Sequence, residues 1–221
     1  MERIPEPELM DVWEQAHAYA NADFSAPHDR FVELFVERFP DLVTQPIRVL
    51  DIGCGPADVT IRFARGMTQA TVTGIDGAEA MLQLGRDSLR LHGLTARVEL
   101  QRIFLPHDEL PPGPFDAVIS NAFLHHLGDA QVLWNAVRTC VKPGSAVFVV
   151  DLFRPATLED ARRIVDQNAT SEPEILRRDF FNSLCAAFSV AEVREQIKRA
   201  GLETLQVSIV SDRHMAVWGT V

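Results

Sequence analysis

The fold of this chain is decided by one short stretch, residues 47–58: Ile47-Arg48-Val49-Leu50-Asp51-Ile52-Gly53-Cys54-Gly55-Pro56-Ala57-Asp58. Its first six residues are mostly apolar and predict a strand buried on both faces, as in a parallel sheet. Gly53 and Gly55 permit a tight turn and let a ligand approach the bare backbone. The residues after Pro56 predict a helix, whose first N–H groups would point toward whatever binds. The stretch therefore predicts a nucleotide-type pocket at the carboxyl end of the first strand of an α/β sheet.

The order of residues in this turn separates the known kinds of nucleotide site. A dinucleotide fingerprint, G-x-G-x-x-G, needs a glycine where this chain has Asp58, and a P-loop needs a Gly-Lys pair that does not follow. This chain instead has an acid, Asp51, two residues before the first glycine. The pattern D-I-G-C-G-P-A resembles motif I of the class I S-adenosylmethionine (SAM)-dependent methyltransferases, [DE]-x-G-x-G-x-G, with Ala57 as the third glycine's replacement. An acid beside exposed backbone donors suits the methionine end of SAM, which carries an ammonium and a carboxylate.

Composition indicates an ordinary globular protein. A chain of 221 residues suits one domain with a sizeable core, and 47% hydrophobic residues are enough to build it. The net charge of −10 argues against nucleic acid as a partner, because phosphates need compensating Lys and Arg. The cysteines, Cys54, Cys140 and Cys185, have no C-x-x-C spacing, so neither a disulfide scaffold nor a cysteine-rich zinc site is expected.

No membrane or export segment is expected from the sequence. Residues 1–7 lack the apolar core of a signal peptide. Nowhere do 18 apolar residues run together, so a membrane-spanning helix is not expected either. The sequence therefore predicts a soluble cytoplasmic protein.

Two helices are predicted ahead of the first strand. Apolar residues at near-helical spacing predict the first over residues 8–20. Ser25 as N-cap and Pro27 in the first turn predict the second. Residues 1–45 are therefore expected to form a helical cap over the carboxyl end of the sheet. Many methyltransferases of the resembled class carry such a segment, which implies that the linking residues 18–24 close over the cofactor.

A second predicted strand, residues 70–75, ends at Asp76, 21 residues after Gly55. In dinucleotide and SAM folds, an acid at about this spacing binds the ribose hydroxyls. A carboxylate can accept both hydrogens of the diol, and each such bond contributes about 1.5–3 kcal/mol. The alternative is that Asp76 caps the helix predicted over residues 78–92, although its place at the strand end favours the ribose role. Met81, in the first turn of that helix, is either an adenine contact or a core residue.

The third predicted strand, residues 96–103, departs from the resemblance. The family usually has G-D-[AV] here, with the Asp accepting a hydrogen bond from the adenine amino group. This chain has Arg102-Ile103-Phe104 instead. A contact worth about 0.5–1.5 kcal/mol is therefore missing, and packing of Phe104 on the adenine ring is expected to compensate.

The stretch Phe115-Asp116-Ala117-Val118-Ile119-Ser120-Asn121 resembles the family's fourth strand, F-D-x-V-x-[SCA]-[NR]. The transferable methyl group is expected near its end, at Asn121. His125 and His126 follow and suggest a general base or a metal, although paired histidines are common in the family without being catalytic. No Cys or His cluster supports zinc, so no metal site is predicted. If the acceptor is an alcohol or phenol, the candidate catalytic bases are His125, His126 and Tyr19, in that order.

The rest of the chain completes the pattern. Residues 141–144, Val-Lys-Pro-Gly, resemble the family's turn before a fifth strand over 145–151. Residues 152–188 predict a helical insert, which in the family shapes the acceptor pocket. Asp129 is predicted to cap the helix that runs to Cys140, and Thr157 is predicted to open a helix of the insert. A capping box at Ser189 begins the last helix. The two strands after it predict a closing hairpin with an antiparallel last strand, which distinguishes methyltransferases from dinucleotide Rossmann folds.

The sequence thus predicts an α/β protein with a doubly wound, mostly parallel seven-stranded sheet and an N-terminal helical cap. The expected division is a cap over residues 1–45 and a SAM-binding domain over 46–221. The resemblance implies SAM as cofactor, S-adenosylhomocysteine (SAH) as product, and methyl transfer to a small-molecule acceptor by in-line displacement. The cofactor-binding residues that it implies are Asp51, Gly53, Cys54, Gly55, Asp76, Gly77, Met81, Ile103, Phe104 and Asn121.

Two other functions stay open at this point. A SAM- or SAH-binding module without transferase activity fits the Arg102-Ile103 departure and the lack of an evident base. A nicotinamide-dependent oxidoreductase is the second alternative. The missing fingerprint glycine and the predicted terminal hairpin argue against that alternative.

Overall fold

The computed structural model describes residues 1–6, 11–170 and 172–221. Within these residues, seven strands form one sheet. The strands are β1 (Arg48–Ile52), β2 (Thr71–Asp76), β3 (Val98–Arg102), β4 (Phe115–Asn121), β5 (Val141–Leu152), β6 (Gln206–Ile209) and β7 (His214–Thr220). Their order is β3-β2-β1-β4-β5-β7-β6; the first five are parallel to one another, and β7 is antiparallel to both of its neighbours. The predicted doubly wound sheet with an antiparallel last strand is confirmed.

Helices pack on both faces of this sheet. Those in the described part of the chain are α1 (Trp13–Asn21), α2 (Ser25–Arg38), α3 (Asp58–Gly66), α4 (Glu79–Leu91), α5 (Gln131–Cys140), α6 (Leu158–Asn168), α7 (Glu174–Ala186) and α8 (Val190–Arg199). Two of them begin where local sequence places a cap. Thr157 accepts the N–H of Asp160 at the start of α6, and Ser189 forms a capping box with Glu192 at the start of α8. None of the helices so described is both long and apolar enough to cross a membrane.

The topological switch point of the sheet, where the strand order reverses, lies at its centre, between β1 and β4. β1 lies between β2 and β4, so that Asp51 pairs with Gly74 on one side and with Ile119 on the other. Val49, Leu50 and Ile52 have no measurable exposure, which confirms a strand buried on both faces. Because all three strands point the same way, their carboxyl ends meet at one crevice.

Aromatic rings fix α2 against one face of the sheet. Phe148 of β5 is fully buried, and Phe31 and Phe35 of α2 meet it edge-on, with ring centroids 4.9 and 5.8 Å away. Such pairs contribute about 0.5–1.5 kcal/mol beyond the area that they bury. On the other face, Trp134 of α5 is fully buried and donates its indole N–H to Gln196 of α8.

The structure corrects the start of the predicted cap. The first helix begins at Trp13, not at residue 8, and Leu9 of the predicted apolar stripe lies outside the described residues. Val12 and Trp13 of that stripe are exposed. The second helix begins at Ser25 itself rather than after it, because the side chain of Asp23 accepts the N–H of Ser25 at 3.0 Å and takes the role predicted for Ser25.

Two further predicted boundaries are wrong. Residues 141–144, predicted as a turn, belong to β5, which bulges between its first pair with β4 and the next. Ser145 explains why β5 continues through these residues, because its hydroxyl accepts a hydrogen bond from the N–H of Lys142 and donates one to the carbonyl of Phe115. Asp129, predicted to cap α5, lies one residue before the N-cap Ala130 and accepts the N–H of Gln131.

We expect Phe31→Ala to lower the free energy of unfolding by about 3–5 kcal/mol, because removing a buried ring leaves a cavity between α2 and Phe148. The matched control is Glu33→Ala on the same helix, an exposed side chain whose ion pair with Arg30 is worth about 1 kcal/mol or less. Urea unfolding of both variants, followed by circular dichroism, measures the difference. Equal stabilities of the two variants would show that α2 is not fixed through Phe148.

Candidate functional site

A cavity opens at the crevice formed by the carboxyl ends of β1, β2 and β4, and the α1–α2 connection covers it. It encloses about 1300 Å³, with the open space at its mouth included. All ten residues implied as cofactor-binding line this cavity: Asp51, Gly53, Cys54, Gly55, Asp76, Gly77, Met81, Ile103, Phe104 and Asn121. Tyr19 and His126 line it as well, whereas His125 lies behind its wall.

The turn after β1 depends on backbone conformations that favour glycine. Gly53 and Gly55 have φ of +74° and +52°. A Cβ on Gly53 would lie 2.4 Å from ring atoms of Phe123, so the close approach of that ring requires glycine, whereas a Cβ on Gly55 would meet open space. Ala57 adopts the left-handed conformation of the glycine that it replaces, at φ 65°, and its fully buried methyl group leaves the cavity open.

Asp76 joins this turn to the next helix. One carboxylate oxygen accepts the N–H of Gly55 at 2.9 Å, and the other accepts the N–H of Ala78, the N-cap of α4, at 2.8 Å. Burial raises the pKa of Asp76, and these two bonds act in the opposite direction. Each oxygen keeps a second lone pair. The capping role and the ribose role, weighed as alternatives from the sequence, are therefore compatible.

Asp51 is the acid of the glycine-rich motif, and it is almost wholly buried at the edge of the cavity. Thr60 donates its hydroxyl to Asp51 at 2.6 Å. The pKa of Asp51 is raised to about 7, mainly by burial and also by the neighbouring Asp76, against the lowering effect of the Thr60 bond. A carboxyl group with this pKa can gain or lose its proton near neutral pH when a cation binds beside it.

The end of β3 supplies apolar groups and no acid to the cavity. Ile103, Phe104 and Leu105 line it, while Arg102 pairs with Asp76 in the sheet. The ring of Phe104 stacks on His107, with centroids 5.3 Å apart, and its backbone N–H donates to Asp108. The Phe104 ring is therefore held in place at the cavity wall, where a planar group can pack against it.

The two histidines after β4 have different surroundings. His125 Nδ1 lies 2.6 Å from Asp151 Oδ1, and Asp151 also accepts the N–H of Leu124. Burial would lower the pKa of His125, but Asp151 raises it above its ordinary value. Burial and the neighbouring His125 lower the pKa of His126, which lines the cavity. Glu6 lies beside both rings, 3.1 Å from His126 Nδ1 and 3.6 Å from His125 Nε2.

These surroundings rank the predicted bases differently from the sequence. His125 is occupied by Asp151 and does not reach the cavity wall. Burial raises the pKa of Tyr19 to about 12, helped by the acids around it, so its hydroxyl keeps its proton at neutral pH. His126 combines access to the cavity with a lowered pKa, which keeps its imidazole neutral.

Sequence reasoning missed a second polar group in the cavity wall. His28 Nδ1 of α2 lies 2.5 Å from Asp58 Oδ2, and Arg62 donates to the same oxygen at 2.9 Å. Burial would raise the pKa of Asp58, but its bonds to His28 and Arg62 lower it. All three residues line the cavity. Asp58 directly follows the glycine-rich motif, which was the available signal, but nothing local indicates its pairing with a histidine 30 residues earlier.

Comparison with known proteins agrees with this site. Residues 49–144 match the family described as "Methyltransferase domain". The chain is similar to the methyltransferase GfsG of Streptomyces halstedii, with 26% identity over 188 residues that cover 84% of this chain and 62% of the relative. It is also similar to a ubiquinone biosynthesis O-methyltransferase of Bordetella bronchiseptica, with 37% identity over 110 residues, 48% of this chain and 43% of the relative. The chain thus spans between about two fifths and three fifths of the length of these relatives.

Solved structures share the fold. The plantazolicin methyltransferase BpumL, crystallised with SAH and a triazolic desmethylPZN analog, superposes with a TM-score of 0.69 at 13% identity, covering 93% of this chain and 90% of BpumL. The glycine-rich turn after β1 and Asp76 at the end of β2 both lie within the matched residues 49–144. Residues 49–144 of this chain thus resemble a methyltransferase domain, and its fold is that of a solved methyltransferase.

Proposed function

We propose that this chain transfers the methyl group of SAM to a small-molecule acceptor that binds in the same cavity. One observation carries the proposal. Asp76 and the turn at Gly53–Gly55 meet, with His126, around a single cavity at the topological switch point of the sheet. An acid at the strand end and a glycine-rich turn suit a nucleoside with a charged amino-acid tail, and the histidine lies where an acceptor would approach.

The residues present fit SAM. Asp76 keeps free lone pairs for a ribose diol, and the open space at the Cβ position of Gly55 lets a ligand reach the backbone. Asp51 would face the ammonium of the methionine end. Met81, Ile103 and Phe104 would enclose the adenine, together with Gly77, Cys54 and Asn121 as neighbouring contacts. The connection at residues 18–24, part of the proposed cap over residues 1–45, would cover the bound cofactor.

The chemistry asks little of the protein beyond orientation. SAM supplies a methyl group on a sulfonium sulfur. A lone pair of the acceptor forms the new bond to carbon, and the electron pair of the broken carbon–sulfur bond stays on sulfur, so the leaving group needs no proton. Holding the two partners in line is equivalent to an effective concentration of about 10⁵–10⁸ M. The wall formed by Asn121, Phe123 and His126 would hold the acceptor in that position.

If the accepting group is a hydroxyl, that hydroxyl also has to lose its proton. His126 is the residue through which the hydroxyl would be activated. Its imidazole is neutral and lines the cavity. The Bordetella relative is named an O-methyltransferase, which supports a hydroxyl acceptor. The net charge of −10 supports a small molecule over a nucleic acid.

The first test of this function is calorimetric titration with SAH and, in a parallel cell, with NAD. We expect micromolar binding of SAH and no heat from NAD, followed by conversion of SAM to SAH when hydroxyl-bearing acceptors are added. Binding of SAH without turnover on any acceptor would favour a binding module without transferase activity. Binding of NAD in place of SAH would contradict the proposal.

We expect Asp76→Asn to weaken SAH about 10- to 150-fold, which is the loss of one charged acceptor worth about 1.5–3 kcal/mol. The asparagine keeps an acceptor oxygen for one of the two backbone N–H groups, so the turn is disturbed less than by alanine. Asp87→Asn is the matched control, because Asp87 is exposed on α4 and does not line the cavity. Calorimetry on both variants, with circular dichroism to check folding, gives the comparison. Unchanged affinity in folded Asp76→Asn would contradict the ribose role.

We expect the affinity for SAH to rise about eightfold between pH 6 and pH 7.5. Below its pKa of about 7 the Asp51 carboxyl is neutral, so a bound ammonium must first displace a proton. The ionised fraction grows from about 10% at pH 6 to about 75% at pH 7.5. Titrations at both pH values measure the change, and Asp51→Asn is expected to remove it. A pH dependence that survives in Asp51→Asn would assign it to another group.

A further inference from the structure

Three side chains of metal-ligand type converge beside the cavity, and one of them, His126, lines it. Glu6 comes from the N-terminal segment, and His125 and His126 come from the short turn after β4. One ligand atom from each lies within 4.8 Å of the other two. Glu6 Oε1 is 3.1 Å from His126 Nδ1 and 3.6 Å from His125 Nε2.

These separations match the edges of a tetrahedral coordination sphere. With metal–ligand bonds of about 2.0–2.2 Å, the ligand atoms of a zinc site lie about 3.4 Å from one another. The two distances from Glu6 fall on either side of that value. Two imidazoles and one carboxylate are also a ligand set that first-row transition metals prefer, and catalytic zinc sites use it.

The groups around the cluster are those that orient metal ligands. Asp151 Oδ1 lies 2.6 Å from His125 Nδ1 and accepts a hydrogen bond from it. A carboxylate on the far nitrogen is the usual partner of a metal-bound histidine, because it fixes the ring and leaves the other nitrogen as the ligand. Ser183 donates to Glu6 Oε1 at 3.0 Å.

The segment that carries Glu6 is held by several bonds. Ile4 N–H donates to the carbonyl of Cys185, and Arg3 donates to the carbonyls of Ala186, His125 and Leu127. The guanidinium of Arg3 also lies over the ring of Phe188, 3.9 Å from its centroid. Glu6 therefore reaches the histidines from a fixed backbone.

Lone pairs face one another inside the cluster. The Nδ1 of His126 is buried without a hydrogen bond, because its contact with Glu6 lacks hydrogen-bond geometry. The 3.6 Å between His125 Nε2 and Glu6 is too long for a hydrogen bond. When the ring proton of His125 is on Nδ1 and points toward Asp151, the lone pair on Nε2 of His125 points into the space between Glu6 and His126. A cation at the centre would satisfy all three groups.

The charges near the cluster favour a dication. Two carboxylates lie beside the histidine rings: Glu6 is 3.1 Å from His126 Nδ1, and Asp151 is 2.6 Å from His125 Nδ1. Arg3 offsets one of these negative charges. Two carboxylates and one guanidinium therefore leave a net negative charge beside the two rings.

We propose that Glu6, His125 and His126 bind one first-row transition-metal dication, for which Zn²⁺ is the probe. The fourth coordination position would open beside His126 into the cavity. This consequence rests on the proposed function: a hydroxyl oxygen of the acceptor bound there would have its pKa lowered, so that its proton leaves to solvent before its oxygen attacks the methyl group. His126 would then activate the acceptor as a ligand of the metal. The sequence predicted no metal site, and Glu6 was not among its candidates.

The test is titration of tag-free, chelator-treated protein with Zn²⁺ by calorimetry in the absence of SAM and SAH. We expect one site per chain with micromolar or tighter affinity. Titration with Co²⁺ is expected to give the intense visible absorption of a four-coordinate site. Glu6→Gln and His126→Ala are each expected to weaken Zn²⁺ at least tenfold, and Asp151→Asn, a positioning change, about 10- to 100-fold.

The matched control is His92→Ala, which removes an exposed histidine outside the ligand set and is expected to leave Zn²⁺ binding unchanged. SAH titration and thermal unfolding of each variant show whether it is folded. No saturable Zn²⁺ site in protein that binds SAH would overturn the metal proposal and leave the proposed function standing. Equal Zn²⁺ affinity in Glu6→Gln, His126→Ala and the parent chain would overturn it as well. Zn²⁺ binding without SAH binding would instead count against the proposed function.

Discussion

The candidate site depends on one buried carboxylate, that of Asp76. Its two oxygens hold the N–H of Gly55 and the N–H of Ala78, and so tie the turn after β1 to the start of α4. The turn after β1 and the start of α4 both need these bonds, because each has a backbone N–H group that the sheet does not pair. Gly53 can then lie against the ring of Phe123, where no Cβ would fit. The shape of the cavity floor follows from these contacts between β1, β2 and β4.

The features predicted correctly from the sequence are those that short stretches determine. The apolar run of β1 is buried on both faces because its neighbours in a parallel sheet cover it. The caps at Thr157 and Ser189 are formed by residues three positions apart, so the local pattern suffices. The spacing of Asp76 from the glycine-rich turn is likewise set by one strand–helix–strand unit.

The features that sequence analysis missed depend on contacts between distant segments. The pair His28–Asp58 joins α2 to the turn after β1, and the pair Glu6–His126 joins the N-terminal segment to the turn after β4. Neither pairing leaves a local signal, because each residue alone looks like an ordinary surface polar group. The continuation of β5 through residues 141–144 was missed for a related reason. There the side-chain hydroxyl of Ser145 bonds the N–H of Lys142 and the carbonyl of Phe115, two backbone groups that are distant from each other in the sequence.

The cavity has two parts of different origin, and under the proposed function this difference bears on how acceptor specificity would arise. The strand ends and the glycine-rich turn come from the matched family segment, residues 49–144, and their geometry is constrained by the sheet. The opposite wall comes from the α1–α2 connection, with Tyr19, Phe24 and His28. The N-terminal segment rests in turn on α7, through Ile4 to Cys185 and Glu6 to Ser183. Changes in these outer segments can reshape the acceptor side without disturbing Asp76, because no hydrogen bond of Asp76 in the described chain reaches them.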